Sequence, residues 1–139
     1  MLNKILASTL LMVSVALAYP SGSTGQYLQD RERFASNNGW SPAYNAIDGW
    51  LSDGSSNTRS ITLYAGFTYR IFGVCDLDCD DLDLVLYDSD GIRMVWDTAD
   101  DDMPTLVFTP RRTQTFQLRT VMANCMNAPC QYGVAIYYQ

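Results

Sequence analysis

The sequence predicts a mainly β fold, an antiparallel β-sandwich with two short helices at its N-terminal side. Three observations lead there. From about residue 60 onward, apolar residues recur with period two, which is the mark of half-buried strands. Compact turn signals separate those runs at short intervals. Before residue 60 the apolar residues instead recur at helical spacing. The chain has 139 residues, which is the length of one domain behind a leader.

The leader is residues 1–18. Lys4 supplies a positive start, Ile5 to Leu17 is apolar with small residues, and Ala16-Leu17-Ala18 is a small-x-small cleavage site. The apolar run is short for a membrane span and Pro20 follows closely, so a cleaved signal peptide is expected and a secreted or periplasmic product with it. Lys4 is the only lysine, so the expected mature chain carries eight Arg against 15 acids, or 8 − 15 = −7. That charge argues against a nucleic-acid partner, which calls for a basic patch. The chain has no histidine. It therefore lacks the imidazole needed for a Ser-His-Asp triad, a Cys-His pair or a His-containing zinc site.

Residues 19–59 read as a helical segment packed on the body. The first helix spans 24–37 with Tyr27, Leu28, Arg31, Phe34 and Ala35 along one side, and Asn38-Gly39 ends it. A second helix is expected from Ser41 as N-cap and Pro42 at the first position, with Ala43, Ile47, Trp50 and Leu51 on one face and Asp53-Gly54 as its stop. Trp40 and Trp50 are read as packing residues, with a partner-binding surface as the alternative. Residues 54–59 read as a polar turn.

Residues 60–139 read as the sandwich, with six or seven strands. Phe67, Tyr69 and Ile71 alternate with Thr68 and Arg70, and Leu82, Leu84 and Leu86 alternate with Asp83, Val85 and Tyr87. Ile92, Met94 and Trp96 follow, then Leu106 and Phe108, then Phe116 and Leu118. Tyr132, Val134, Ile136 and Tyr138 close the chain. The turns are Asp88-Ser89-Asp90-Gly91, Asp102-Met103-Pro104 and 110–113. Tyr64, Tyr87, Tyr137 and Tyr138 are candidate exposed aromatics, or ordinary strand residues.

Four cysteines in an exported chain read as two disulfides, for which three connectivities exist. Sequence proximity favours Cys75–Cys79 and Cys125–Cys130. A four-Cys zinc site lacks its usual CxxC spacing. Eleven of the 15 acids lie between Asp76 and Asp102, and all are Asp. If strands alternate in direction, the 75–81, 97–104 and 123–130 loops share one end of the sandwich. Carboxylates gathered there repel one another unless their pKa values rise, the loops splay, or a cation sits among them. Asp oxygens suit Ca2+. The candidate ligands are Asp76, Asp78, Asp80, Asp81, Asp97, Asp100 and Asp101; the alternative is a solvated acidic rim. The spacing is not an EF-hand, because Asp81 stands where Gly is required and Tyr87 where the bidentate Glu belongs. No catalytic residues are assigned. Hydrolysis by an Asp pair is the weaker reading, since short sandwich loops seldom make a cleft.

The segment Leu63-Tyr64-Ala65-Gly66-Phe67-Thr68-Tyr69, the strand Asp81-Leu82-Asp83-Leu84-Val85-Leu86-Tyr87-Asp88, Gly91 in its turn, and Phe116-Gln117-Leu118-Arg119-Thr120-Val121 together resemble a bacterial pre-peptidase C-terminal domain over about residues 60–139. The resemblance implies a jelly-roll-like sandwich that is secreted, non-catalytic and calcium-binding in some members. This chain departs from that family's usual setting in having four cysteines and no peptidase ahead of the domain. The expected role is binding or adhesion to a protein or glycan ligand, with a structural or assembly protein as the alternative.

Overall fold

The computed structural model describes residues 19–139; the expected signal peptide lies outside the described residues. One helix and nine strands follow in order: α1 (Ser23–Asn37), β1 (Ser41–Pro42), β2 (Ile47–Leu51), β3 (Ser56–Leu63), β4 (Tyr69–Cys75), β5 (Cys79–Tyr87), β6 (Arg93–Asp97), β7 (Thr105–Phe108), β8 (Gln114–Cys125) and β9 (Cys130–Tyr138). They form two antiparallel sheets. The first has the order β1-β9-β4-β7, with β2 also paired to β9; the second is β3-β8-β5-β6. The sheets pack face to face as a sandwich.

Alternation decides which side chains meet. Leu82, Leu84 and Leu86 of β5 and Phe116 and Leu118 of β8 point inward and meet Ile71 of β4 with Tyr132, Val134 and Ile136 of β9. The long central strand β9 is buried along nearly its whole length. Its inner face fills this core. Its outer face joins Phe72 and Val74 of β4 in a second apolar layer, covered by Leu28 and Ala35 of α1. Gly133 is what lets α1 approach: a Cβ there would lie 2.7 Å from Leu28 Cδ1. Arg70 is half-buried in the same layer, its guanidinium 5.0 Å from the Trp40 ring centroid.

The expected second helix is not formed. Ser41–Pro42 and Ile47–Leu51 are strands that pair with β9, Ile47 opposite Val134 and Leu51 opposite Cys130. The spacing that places Ile47 and Leu51 on one helical face also places them on one strand face. Gly49 sits in the middle of the segment and disfavours helix. In the strand it is useful, because a Cβ there would lie only 3.1 Å from the Tyr132 ring. Trp50 consequently points outward and is 60% exposed, against the expectation that it packs. Residues 54–59 are not all turn either, since β3 begins at Ser56. Its polar start pairs with β8 at the sheet's edge, with Ser56 opposite Val121. In β6 the apolar side of the sequence pattern is the wrong side. Val95 packs on the core, while Met94 and Trp96 are exposed. A register shift between Leu86 and Tyr87 accompanies this reversal.

Candidate functional site

Strand direction sorts the connections into two ends. At one end lie 52–55, 76–78, 98–104 and 126–129, with both disulfides. At the other lie 64–68, 88–92 and 109–113, with the C-terminus. The first is the cysteine end, the second the tyrosine end.

The cysteine end is built by its covalent links. Cys75 bonds Cys79 and Cys125 bonds Cys130. Cys75 ends β4 in the first sheet and Cys79 begins β5 in the second; Cys125 ends β8 in the second and Cys130 begins β9 in the first. Each link therefore clamps a point where the chain crosses between sheets. The two crossings also touch, with Cys79 opposite Cys125 across β5 and β8. Met126 N–H donates to the Asp78 carbonyl at 2.8 Å.

Four of the seven candidate carboxylates already accept hydrogen bonds within the chain, three of them from the backbone. Asp76 Oδ1 accepts from Asp78 N–H at 3.2 Å, and its Oδ2 accepts from Gln131 N–H at 2.7 Å. Asp78 Oδ1 accepts from the Asn127 side-chain amide at 3.1 Å. Asp97 takes Ala99 N–H on one oxygen and Thr105 N–H on the other, at 3.2 and 2.9 Å. Asp101 Oδ1 takes Met103 N–H at 3.0 Å. Asp53, outside the candidate set, takes Cys125 N–H at 2.8 Å. Such Asx bonds shape loops, which is a standard reason for Asp to occur in turns. Asp80 and Asp100 are exposed.

The exception is Asp81 with its neighbour Asp83, a residue left out of the candidate set. Both lie on the outer face of β5, because Leu82 and Leu84 between and beside them face the core. Asp81 Oδ1 and Asp83 Oδ1 are buried and have no hydrogen-bond partner. Burial, then the Asp81 charge and a proton shared with it, push the Asp83 carboxyl up to about 6. Burial and the Asp100 charge also raise Asp81. The 97–104 loop reaches this pair, since Leu82 N–H donates to the Asp101 carbonyl at 2.9 Å. The signal in the sequence was the D-x-D spacing on a strand, which aims both side chains to one face.

These residues fit a cation in part. Two unspent oxygens and a raised carboxyl are the state expected of a pair that lacks a positive partner. Among the described residues, however, no three acidic or sulfur-bearing side chains converge closely enough to hold a metal ion. Further ligands for Ca2+ would come from backbone carbonyls and water, both of which it accepts.

The tyrosine end differs in kind. A cavity of about 310 Å3 opens there, lined by Ala43, Tyr44, Thr62, Tyr64, Phe67, Tyr69 and Tyr138. A wider one of about 720 Å3 has Phe108 and Phe116 in its wall, with Arg111 and Arg112 beside Asp88. Asp81 and Asp83 line neither. Of the four candidate tyrosines, Tyr64 is exposed and Tyr87 and Tyr138 are half-buried. Tyr137 is buried under α1, as an ordinary strand residue. The sequence matches no family model, and no curated protein is significantly similar to it.

Proposed function

We propose that the chain is an exported, non-catalytic β-sandwich module that acts by binding or adhesion outside the cytoplasm, its Asp-rich end steadied by Ca2+. The observation that carries the calcium is the Asp81–Asp83 pair, with two buried oxygens lacking any partner and a carboxyl pushed up to about 6. A cation there would relieve the repulsion between the two carboxylates. Export is supported by the leader pattern of residues 1–18 and by two disulfides. Kinship with pre-peptidase C-terminal domains, and the jelly-roll order that goes with it, rest on the strand 81–88 and the turn at Gly91. The ligand is a protein or a glycan.

A metal-free structural module is the second reading. It is favoured by the carboxylates of Asp76, Asp78, Asp97 and Asp101, which already accept hydrogen bonds within the chain. Hydrolysis by the Asp pair has less support, because the pair lines neither cavity. A thermal melt separates the first two. Ca2+ at about 1 mM, a working range for extracellular sites, should raise the Tm, EDTA should reverse the rise, and Asp83→Asn should abolish it. No shift at that concentration would leave the metal-free module.

A further inference from the structure

We infer that the smaller cavity at the tyrosine end is a docking site for a proline-rich segment of a partner protein in polyproline II conformation. The cavity holds about 310 Å3, at the lower bound of small ligand sites. Its walls are set before any ligand arrives. The Tyr44 hydroxyl donates to the Thr62 carbonyl. Tyr64 N–H donates to the Tyr69 hydroxyl at 2.9 Å. The Phe67 ring meets Tyr138 edge-on at 5.4 Å between centroids. Thr68 and Gln139 exchange both backbone hydrogen bonds, at 3.1 and 3.0 Å, which ties the 64–68 turn to the C-terminus. Rigid walls reduce the ordering cost of binding.

The lining chooses the partner. In a chain this acidic, no residue of this cavity's wall is charged. It presents rings and phenolic hydroxyls. Neutral pyranoses display paired hydroxyls that call for planar polar side chains such as Asp, Asn, Gln or Arg, and the wall has none of them. The Thr62 carbonyl, an acceptor in the wall, is already engaged by Tyr44. What the wall can offer is apolar ring surface and phenolic O–H donors, chiefly from Tyr64 and Tyr138 at the rim. Proline repeats match this offer. They bring flat apolar rings and carbonyl acceptors, carry no N–H needing a partner, and are held extended before binding. Aromatic-lined grooves are the general means of reading such segments. Tyr64 and Phe67 remain 52% and 41% exposed, so the receiving surface is open.

The inference rests on the reading of the chain as a binding module and not on its calcium. The test is a calorimetric titration of the mature protein with an end-blocked ten-residue polyproline peptide, run in EDTA and again with Ca2+. A glycine–serine peptide and a neutral oligosaccharide serve as comparisons. Saturable binding of polyproline alone is expected, weakened about tenfold or more by Tyr64→Ala and by Phe67→Ala. Trp96→Ala, on β6 and outside the cavity wall, should leave it unchanged. Both cavity residues are substantially exposed, so these variants keep the fold, which near-UV circular dichroism checks. Absence of saturation at about 1 mM peptide would overturn the inference, as would binding that survives both cavity substitutions. Binding of the oligosaccharide in place of the peptide would overturn it while leaving a binding module in place. A Tm that ignores Ca2+ would remove the calcium alone.

Discussion

The cysteine end and the tyrosine end are built from residues that both look functional, yet they spend those residues in opposite ways. At the cysteine end most of the polar capacity turns inward. Asp76 alone joins Asp78 N–H to Gln131 N–H, and so ties the β4–β5 crossing to the start of β9. At the tyrosine end side chains bond to fix the walls of an opening, and ring faces are left over. A cluster of chemistry-bearing residues is therefore a site only to the extent that its bonding capacity is unspent. At the acidic end, oxygens that are both buried and without a partner are those of Asp81 and Asp83.

Breaking the cysteine end should produce the largest effect on stability. Asp76→Ala removes acceptors from two backbone donors, one of them on the buried residue Gln131. A loss of about 2–3 kcal/mol is expected in urea unfolding, with Asp76→Asn milder because it keeps an acceptor oxygen. Opening one link with the Cys75→Ser, Cys79→Ser pair should cost about 2 kcal/mol, the chain-entropy value for so short a loop. If the two ends are independent, the ring resonances of Tyr64 and Phe67 will not move in either variant. Their movement would show that the clamps shape the cavity as well.

A smaller effect sharpens the comparison at the Asp pair. The folded Asp83 carboxyl stands at about 6 against 3.8 in its ordinary state. The folded protein therefore binds a proton more readily than the unfolded chain. Stability contributed by this group falls as pH rises from about 4 through about 6, and its cost is complete above that window. Asp83→Asn should stabilise the metal-free protein at pH 7 by about 1 kcal/mol, after allowance for solvent screening of a partly exposed group. The gain should vanish near pH 4. A gain that persists there would mean that the repulsion is not electrostatic. The smallest effect belongs to Trp50. Trp50→Ser should change stability by no more than about 0.5 kcal/mol, because the side chain is exposed. A larger loss would put Trp50 back among the packing residues.

The legibility of the fold follows from how local its causes are. The inward leucines of β5 and the alternation of β9 read correctly because period two is a property of the strand itself. Ile47 to Leu51 did not read correctly, because Ser41-Pro42 imitates a helix start and the apolar spacing fits both periods. What decides there is a free edge of β9, contributed by residues about eighty positions or more away. The two readings of Tyr137 could not be separated for a similar reason, since α1 lying over that face is what buries it.

The candidate site divides along the same line. The sequence by itself determined the acidity, the lack of imidazole, the cysteines close enough to pair locally, and the alternating strands, since these follow from composition and near-neighbour geometry. That Asp76 and Asp97 are loop ties, and that Asp83 carries the strain, was decided by the tertiary structure. So was the convergence of Tyr44, Tyr64, Phe67 and Tyr138 around one opening. A hydrogen-bond partner or a shared cavity depends on which distant backbone arrives beside a side chain, and sequence spacing holds no record of that.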